Sequence, residues 1–257
     1  FEKINGEHEP GMITGKSVDL GGIGFRSEST SIGGFVVLEK FLEKIGRKND
    51  DLTVAIQGFG SVGSGIAFLF QNAGFRVVAI SDVDGGIIDS GGLNVRELKL
   101  IEMSEGSVAS CRDVRHISNG DLLKLDVDIL VLAAIENQIT KENVDEVKAK
   151  YILELANGPI SSFAEERLFD RGIIVIPDVI ANAGGVVASY FEWNKAKFGH
   201  MFEEEYLKKR LNDIMINAFE KVYDQFKVQK ELDMKSVAYI IAVKKILSAE
   251  KSRGNLK

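Results

Sequence analysis

The chain has 257 residues, 45% of them hydrophobic, with a net charge of −6 and a pI near 5.3. That is enough apolar material for a full core in one large domain, or in one domain with extensions. The acidic balance, without a basic block, argues against nucleic acid and anionic membranes as partners. No apolar run reaches membrane-spanning length. The single cysteine, Cys111, excludes an internal disulfide framework and fits a reducing cytoplasm. His8, His116 and His200 are too scattered to suggest a metal site. The start, Phe1-Glu2-Lys3, is not a signal peptide and lacks an initiator methionine, so the chain is expected to begin in mid-sequence or to be processed.

Residues 1–30 are polar and glycine-rich, without a helix or strand period. A segment of that kind is either functional or a linker. Helical spacing follows from Ile32 to Ile45 (Phe35, Leu38, Phe41, Leu42), with Gly46 as its stop. Next comes an apolar run, Val54-Ala55-Ile56, that reads as a buried parallel strand. It leads into Gly58, Gly60 and Gly63, spaced G-x-G-x-x-G, and then into Ile66, Ala67, Leu69 and Phe70 on one helical face. Strand, glycine turn and helix together are the context a dinucleotide fingerprint requires. In that pattern Gly58 makes the turn, Gly60 lets backbone approach a pyrophosphate, and Gly63 lets helix and strand pack closely. A second strand, Phe75 to Ile80, ends at Asp82. This carboxylate stands near the roughly 20-residue offset expected for an acid on the ribose hydroxyls. The bland alternative is a glycine turn that only packs a helix on a sheet.

Further along, Asp84-Gly85-Gly86 and the Asp89 to Gly92 turn bracket Ile87-Ile88 as a small hairpin. Asn94 caps a helix through Glu102, and residues 104–120 read as irregular. Strand signals recur at Val127–Leu132, Tyr151–Leu155 and Ile173–Ile176, with helical stretches at Lys141–Lys148 and Ser161–Asp170 between them. The alternation predicts an α/β fold: a Rossmann-type, mainly parallel sheet with helices on both faces. Ligands of such sheets bind at the carboxyl ends of the strands. Gly58 to Gly63, Asp82, Ala133 to Asn137, Asn157-Gly158 and Asn182 all fall at those ends and are expected to share one crevice. From Gly185 the chain reads as helical, with a long amphipathic stripe from Leu207 to Phe226 and a last helix from Met234 to Ala249. The division expected is a junction segment over 1–33, a dinucleotide-binding domain over 34–200 and a helical extension over 201–257 packing on that domain.

Six strings, in order, resemble the nucleotide-binding domain of glutamate dehydrogenases: ITGKSVDLGG at 13–22, AIQGFGSVG at 55–63, ISDVDG at 80–85, DVDILVLAAIENQIT at 126–140, ELANGP at 154–159 and PDVIANAGGVVASYFEW at 177–193. The resemblance implies hydride transfer between the α-carbon of L-glutamate and nicotinamide, yielding 2-oxoglutarate and ammonium. By the same resemblance, Gly58, Phe59, Gly60, Ser61, Val62 and Gly63 would hold the pyrophosphate, and Asp82 would face the adenine ribose. Ala133, Ala134 and Asn137 would line the nicotinamide ribose, with Asn157 supporting that region. Thr30 and Asn182 would bond the carboxamide, and Val186 and Ser189 would touch glutamate. Each has a plainer reading: Asn157 as a turn former, Asn182 as a helix cap and Ser189 as a hydroxyl bonded back to a helical carbonyl.

The likeness has departures. Ile23, Gly24 and Phe25 precede Arg26 where the family usually has a serine, a variable residue and glycine. Ser29-Thr30-Ser31-Ile32-Gly33 stands for Ala-Thr-Gly-Arg-Gly, Ser17 for a proline after Lys16, Ser61 for an asparagine and Leu132 for a proline. The family's catalytic lysine and aspartate belong to a preceding domain that also builds its hexamer. No catalytic residue is therefore assigned here, and the chain is expected to bind nucleotide without turning over glutamate, the whole protein being a homo-oligomer. Asp82, with no basic residue in 83–86, favours NAD, NADP being the alternative. The competing functions are a non-catalytic nucleotide-binding paralogue, which the altered 23–32 segment would suit, and a related amino-acid dehydrogenase.

Overall fold

A computed structural model describes residues 1–49, 52–199 and 202–256. The expected boundary at 200/201, and His200, lie outside the described residues. Among the described residues, seven strands form one sheet: β1 Thr53–Gln57, β2 Arg76–Ser81, β3 Gly86–Ile88, β4 Arg115–Ile117, β5 Ile129–Leu132, β6 Tyr151–Glu154 and β7 Ile174–Ile176. Their spatial order is β4-β3-β2-β1-β5-β6-β7. β2, β1, β5, β6 and β7 run parallel, while β3 pairs antiparallel with both β2 and β4. The chain winds outward from β1 in both directions, so the sheet has a switch point between β1 and β5.

Helices cover both faces, and strand alternation shows why. Val54 and Ile56 of β1, Ile129 and Val131 of β5, and Leu153 of β6 enter one core. Ala55, Leu130, Leu132 and Ile152, their neighbours along the same strands, enter the other. A strand buried on both sides reads as a continuous apolar run, which is how these strands appear in the sequence. The larger core receives α2 (Ser29–Lys44), α3 (Ser61–Asn72), α4 (Val95–Glu105), α8 (Gly184–Phe198), α9 (Glu204–Val228) and α10 (Met234–Ser252). The smaller receives α5 (Asn119–Leu123) and α6 (Ser162–Asp170). Phe219 of α9 and Val237 of α10 are fully buried in the larger core, so the last two helices share the sheet's interior. Burial of each such side chain contributes about 1.5–3 kcal/mol. Among the described residues, no helix is long and apolar enough to cross a membrane.

Several expectations need correction. Helix α2 starts at Ser29, not Ile32, and ends as expected, with Gly46 at φ 68° and the Arg47 amide bonded to the Leu42 carbonyl. Residues 1–30 contain a short helix, α1 (Glu2–Asn5), and two 3₁₀ turns, Val18–Leu20 and Gly24–Ser27. The 104–120 stretch is not irregular: it holds a 3₁₀ turn at Val108–Ser110, strand β4 and the start of α5. Ser118 and Asp121 build a reciprocal capping box there, a local signal the sequence carried. The Lys141–Lys148 helix is absent; only Val144–Glu146 turns, as a 3₁₀ helix. The Asn143 side chain accepts from the Thr140 amide, and the Arg171 guanidinium takes the carbonyls of Val144 and Val147. These side chains supply the bonds that a helix would otherwise make.

Candidate functional site

The site begins where β1 ends. The Gly58 amide donates to Ser81 O at 2.8 Å and the Ala133 amide to Gln57 O at 2.8 Å, so the glycine turn is hung between the ends of β2 and β5. The three glycines are needed for different reasons. Gly58 has φ 95°, and a Cβ there would lie 2.6 Å from Ala133 O. A Cβ on Gly63 would lie 1.8 Å from Gly58 O, so the first turn of α3 packs directly on the strand end. Gly60 has φ −70°, and a Cβ built on it meets nothing within 4 Å. The protein's own packing thus explains Gly58 and Gly63 but leaves open space above Gly60. Beside that space lie the first-turn amides of α3, which have no intrahelical partners and carry the positive end of the helix dipole. This cradle fits an anionic diphosphate.

Two lobes, of about 540 and 550 Å³, meet over the β1–β5 switch point and share Ala134 and Ile135 in their walls. Each is of a size usual for small-molecule sites. The first lobe holds Gly58, Phe59, Gly60, Asp82, Asn119 and Ala133. Phe59 is buried beneath it, with Lys99 Nζ 5.9 Å from the ring centroid. Gln57, only 2% exposed, donates through Nε2 to Gln138 Oε1 at 2.7 Å, while its own buried Oε1 finds no partner among the described residues. Asp82 has a second task. Its carboxylate accepts from the Ser107 hydroxyl (2.8 and 2.9 Å), the Val108 amide (2.7 Å) and the Asp84 amide (3.0 Å). A carboxylate offers about four acceptor sites, so most of Asp82 already holds the 82–85 turn against the 107–108 loop.

The second lobe holds Arg26, Thr30, Val62, Asn157, Asn182, Val186 and Ser189. These come together because α2 and α8 cross closely: a Cβ on Gly184 would lie 2.0 Å from Ser29 O. Asn182 Nδ2 donates to Asn157 Oδ1 at 2.7 Å, joining the end of the short helix α7 (Asp178–Ala181) to the turn after β6. Asn182 is the C-cap residue of α7 and does not cap α8. Ser189 Oγ donates to Gly185 O at 2.9 Å, and the same oxygen accepts from Arg26 Nε at 3.0 Å. Ser61 Oγ reaches Ser27 O at 3.5 Å, and Val62 O accepts from Ser31 Oγ at 2.9 Å.

Asn137 is not in the cleft. It adopts φ 54°, bonds through its amide to Gly158 O at 3.0 Å and lines a separate cavity with Ser161, Glu165 and Lys235. Each of the five expected strand-end groups therefore has members lining one lobe or the other, while Asn137 and Gly158 line the separate cavity.

Arg26 follows the altered Ile23-Gly24-Phe25 string and is not among the expected site residues. The structure makes it the one cation among the described residues that line the cleft. Residue type alone does not mark Glu154 and Asp178 as site residues; the one signal in the sequence is a glutamate inside the apolar run Tyr151–Leu155. Among the described residues no His/Cys/Asp/Glu cluster could hold a metal ion.

Comparison with known proteins accords with this geometry. Residues 21–254 match the family model of glutamate/leucine/phenylalanine/valine dehydrogenases. Over its whole length the chain is 41% identical to the NADP-specific glutamate dehydrogenase of Saccharolobus shibatae, covering 61% of that protein. It is 39% identical over 254 residues to a catabolic NAD-specific glutamate dehydrogenase of Bacillus subtilis, covering 59% of it. The hetero-hexameric glutamate dehydrogenase of Thermus thermophilus superposes with a TM-score of 0.89 at 28% identity, over 98% of this chain and 59% of that one. The glutamate dehydrogenase of Peptoniphilus asaccharolyticus gives 0.83 at 30% identity, over 99% and 60%. The chain thus spans about three-fifths of the length of these relatives, and it belongs to the glutamate/leucine/phenylalanine/valine dehydrogenase family.

Proposed function

We propose that the chain is the NAD(P)-binding domain of a glutamate dehydrogenase, holding the coenzyme along the two-lobed cleft. The observation that carries this reading is the open cradle at Gly60, set at the sheet's switch point beside the first-turn amides of α3, which have no intrahelical partners. Gly58 to Gly63 would bind the diphosphate, and Asp82 would meet the adenosine ribose with what remains of its acceptor capacity. Ala133 and Ala134 would flank the nicotinamide ribose. The Asn157–Asn182 pair and Thr30 would orient the carboxamide, which fixes the ring face presented to substrate. Bound coenzyme supplies the hydride chemistry. Val186, 70% exposed, and Ser189, held by Arg26, would meet the amino acid at the outer rim. A guanidinium at that rim suits a carboxylate.

Asn137, set behind the cleft, would act through the Gly158 turn and not by touching the ribose. The 1–33, 34–200 and 201–257 division is proposed on the same footing; α2 crosses its first boundary.

Titration calorimetry with ADP-ribose and NADH tests the assignment; heats from both are expected, and no heat from either would refute it. A guanidinium offers donors and no acceptor site, so Arg26, the cleft's cation, cannot serve as the base for the substrate amino group. The chain by itself is therefore expected to give no glutamate-dependent NADH in an absorbance assay, and clear turnover would refute that part. We assign L-glutamate turnover and homo-oligomer formation to the whole protein, in the cytoplasm.

Relatives of either coenzyme preference stand at similar identity, so the preference is read at the first lobe. A 2′-phosphate there would meet Asp82 and Glu102, and no cation lines that lobe among the described residues. Tighter binding of NADH than of NADPH, by about tenfold, is expected from like-charge repulsion. Parallel fluorescence titrations check this; equal or reversed affinities would sink it.

A further inference from the structure

Behind the Asn157–Asn182 pair lies a largely half-buried ionic group that the cofactor assignment does not use. Lys235, at the start of α10, has its ammonium paired with Glu165 of α6, and it stands 3.9 Å from both Glu154 and Asp178. Glu154 is fully buried at the end of β6, and its Oε2 accepts from the Asp178 amide at 2.9 Å. Asp178 Oδ2 in turn accepts from the Gly158 amide at 2.8 Å. Gly158 sits next to Asn157, and Asp178 opens the helix that ends at Asn182. One ammonium therefore faces three carboxylates, and two of these hold the backbone on either side of the asparagine pair.

We propose that Lys235 is a positioning residue for the nicotinamide end of the coenzyme: it holds Glu154 and Asp178 together, and their bonds to the 158 and 178 amides fix the Asn157–Asn182 pair. The inference rests on the coenzyme reading above. Its chemistry is electrostatic. Burial would push the Lys235 ammonium down, but Glu165, Glu154 and Asp178 outweigh it and hold it above its ordinary value. Burial pushes Glu154 up to about 7; Lys235 and the Asp178 amide oppose the shift, while Asp178 and Glu165 add to it. Asp233 is engaged as the cap of α10, accepting from the Ser236 amide and hydroxyl. Ionised Glu154 makes a charge-assisted bond to the Asp178 amide, and protonated Glu154 makes an ordinary one. The grip on the turn therefore strengthens as pH rises through about 7.

NADH and ADP-ribose separate the two ends of the site, because ADP-ribose lacks the nicotinamide and the ring of NADH is uncharged. Calorimetry on the full chain at pH 6 and 8 would use wild type, Lys235→Met, Lys235→Arg and Glu154→Gln. In wild type the NADH affinity, relative to ADP-ribose, should fall about fivefold from pH 8 to pH 6, the difference between a charged and a neutral hydrogen bond. Glu154→Gln keeps the volume and an acceptor oxygen, so its ratio should be flat and equal to the wild-type value at pH 6. Lys235→Met should lower the NADH affinity at pH 8 by about fivefold or more while sparing ADP-ribose, and Lys235→Arg should restore it. Equal losses for both ligands, or a wild-type ratio that ignores pH and both variants, would overturn the positioning role. If Lys235→Met unfolds, the Glu154→Gln profile decides alone. Failure of wild type to bind either ligand would overturn the coenzyme reading, and this inference with it.

Discussion

Replacing Gly60 by alanine is expected to leave the melting temperature unchanged or slightly raised, yet to weaken ADP-ribose binding by tenfold or more. The two halves of that expectation have separate causes. The free chain has room for the methyl group, with nothing within 4 Å of it, and φ −70° is ordinary for alanine. Removing a glycine from the unfolded ensemble contributes about 0.4–1 kcal/mol of stability where the native backbone is compatible. A diphosphate seated on the α3 amides would instead press on the added methyl group. Overpacking of that kind costs about 1–3 kcal/mol, and 1.4 kcal/mol is already tenfold. Gly63→Ala supplies the contrast: its Cβ would lie 1.8 Å from Gly58 O, so strand and helix must part and stability falls as well. Thermal melts and calorimetry on the two variants together check this. A Gly60→Ala protein that binds as tightly as wild type would show that no ligand approaches the turn.

Lys16→Met is expected to cost about 3 kcal/mol of stability, the low end for breaking a buried ion pair. Glu192 of α8 is fully buried, with Lys16 Nζ 2.7 Å away. Its carboxylate also accepts from the Gly15 and Lys16 amides at 2.9 and 3.2 Å. Burial alone would push Glu192 up; Lys16 and the two amides outweigh it and hold the carboxyl below its ordinary value. A carboxyl depressed in the folded state stabilises the fold above its unfolded pKa of about 4.3. That contribution is lost as pH falls through the folded value. Wild type should therefore hold a steady margin near neutrality and lose this part below about pH 4.3, whereas Lys16→Met starts lower because two amides alone must carry the buried charge. Urea unfolding at pH 7 and pH 4 measures both. A variant as stable as wild type at pH 7 would show that the pair does not tie the 13–16 segment to α8.

Much of the arrangement was legible in the residues because it rests on local rules. Apolar runs between turn residues fix where strands lie, and the stop at Gly46 and the cap at Asn94 fix helix ends. The G-x-G-x-x-G spacing fixes the first crossover. Where side chains from distant segments replace backbone bonds, the same reasoning fails: Arg171 dissolves the expected 141–148 helix because its carbonyls find a partner from 24 or more positions away. Asp82 illustrates the limit at the site itself. Its place at the end of β2 follows from periodicity, but its bonds to Ser107 and Val108 depend on a loop whose path no local pattern sets.

The sequence by itself determined the strand–turn–helix unit, the parallel sheet and the family, since each depends on periods and glycines within a few neighbouring residues. Only the tertiary structure decided that Asn137 leaves the cleft, that Arg26 enters it against Ser189, and that Lys235 meets Glu154 and Asp178. The physical reason is that these contacts join residues remote in the chain, and their geometry is set by how closely α2, α8 and α10 pack on the sheet.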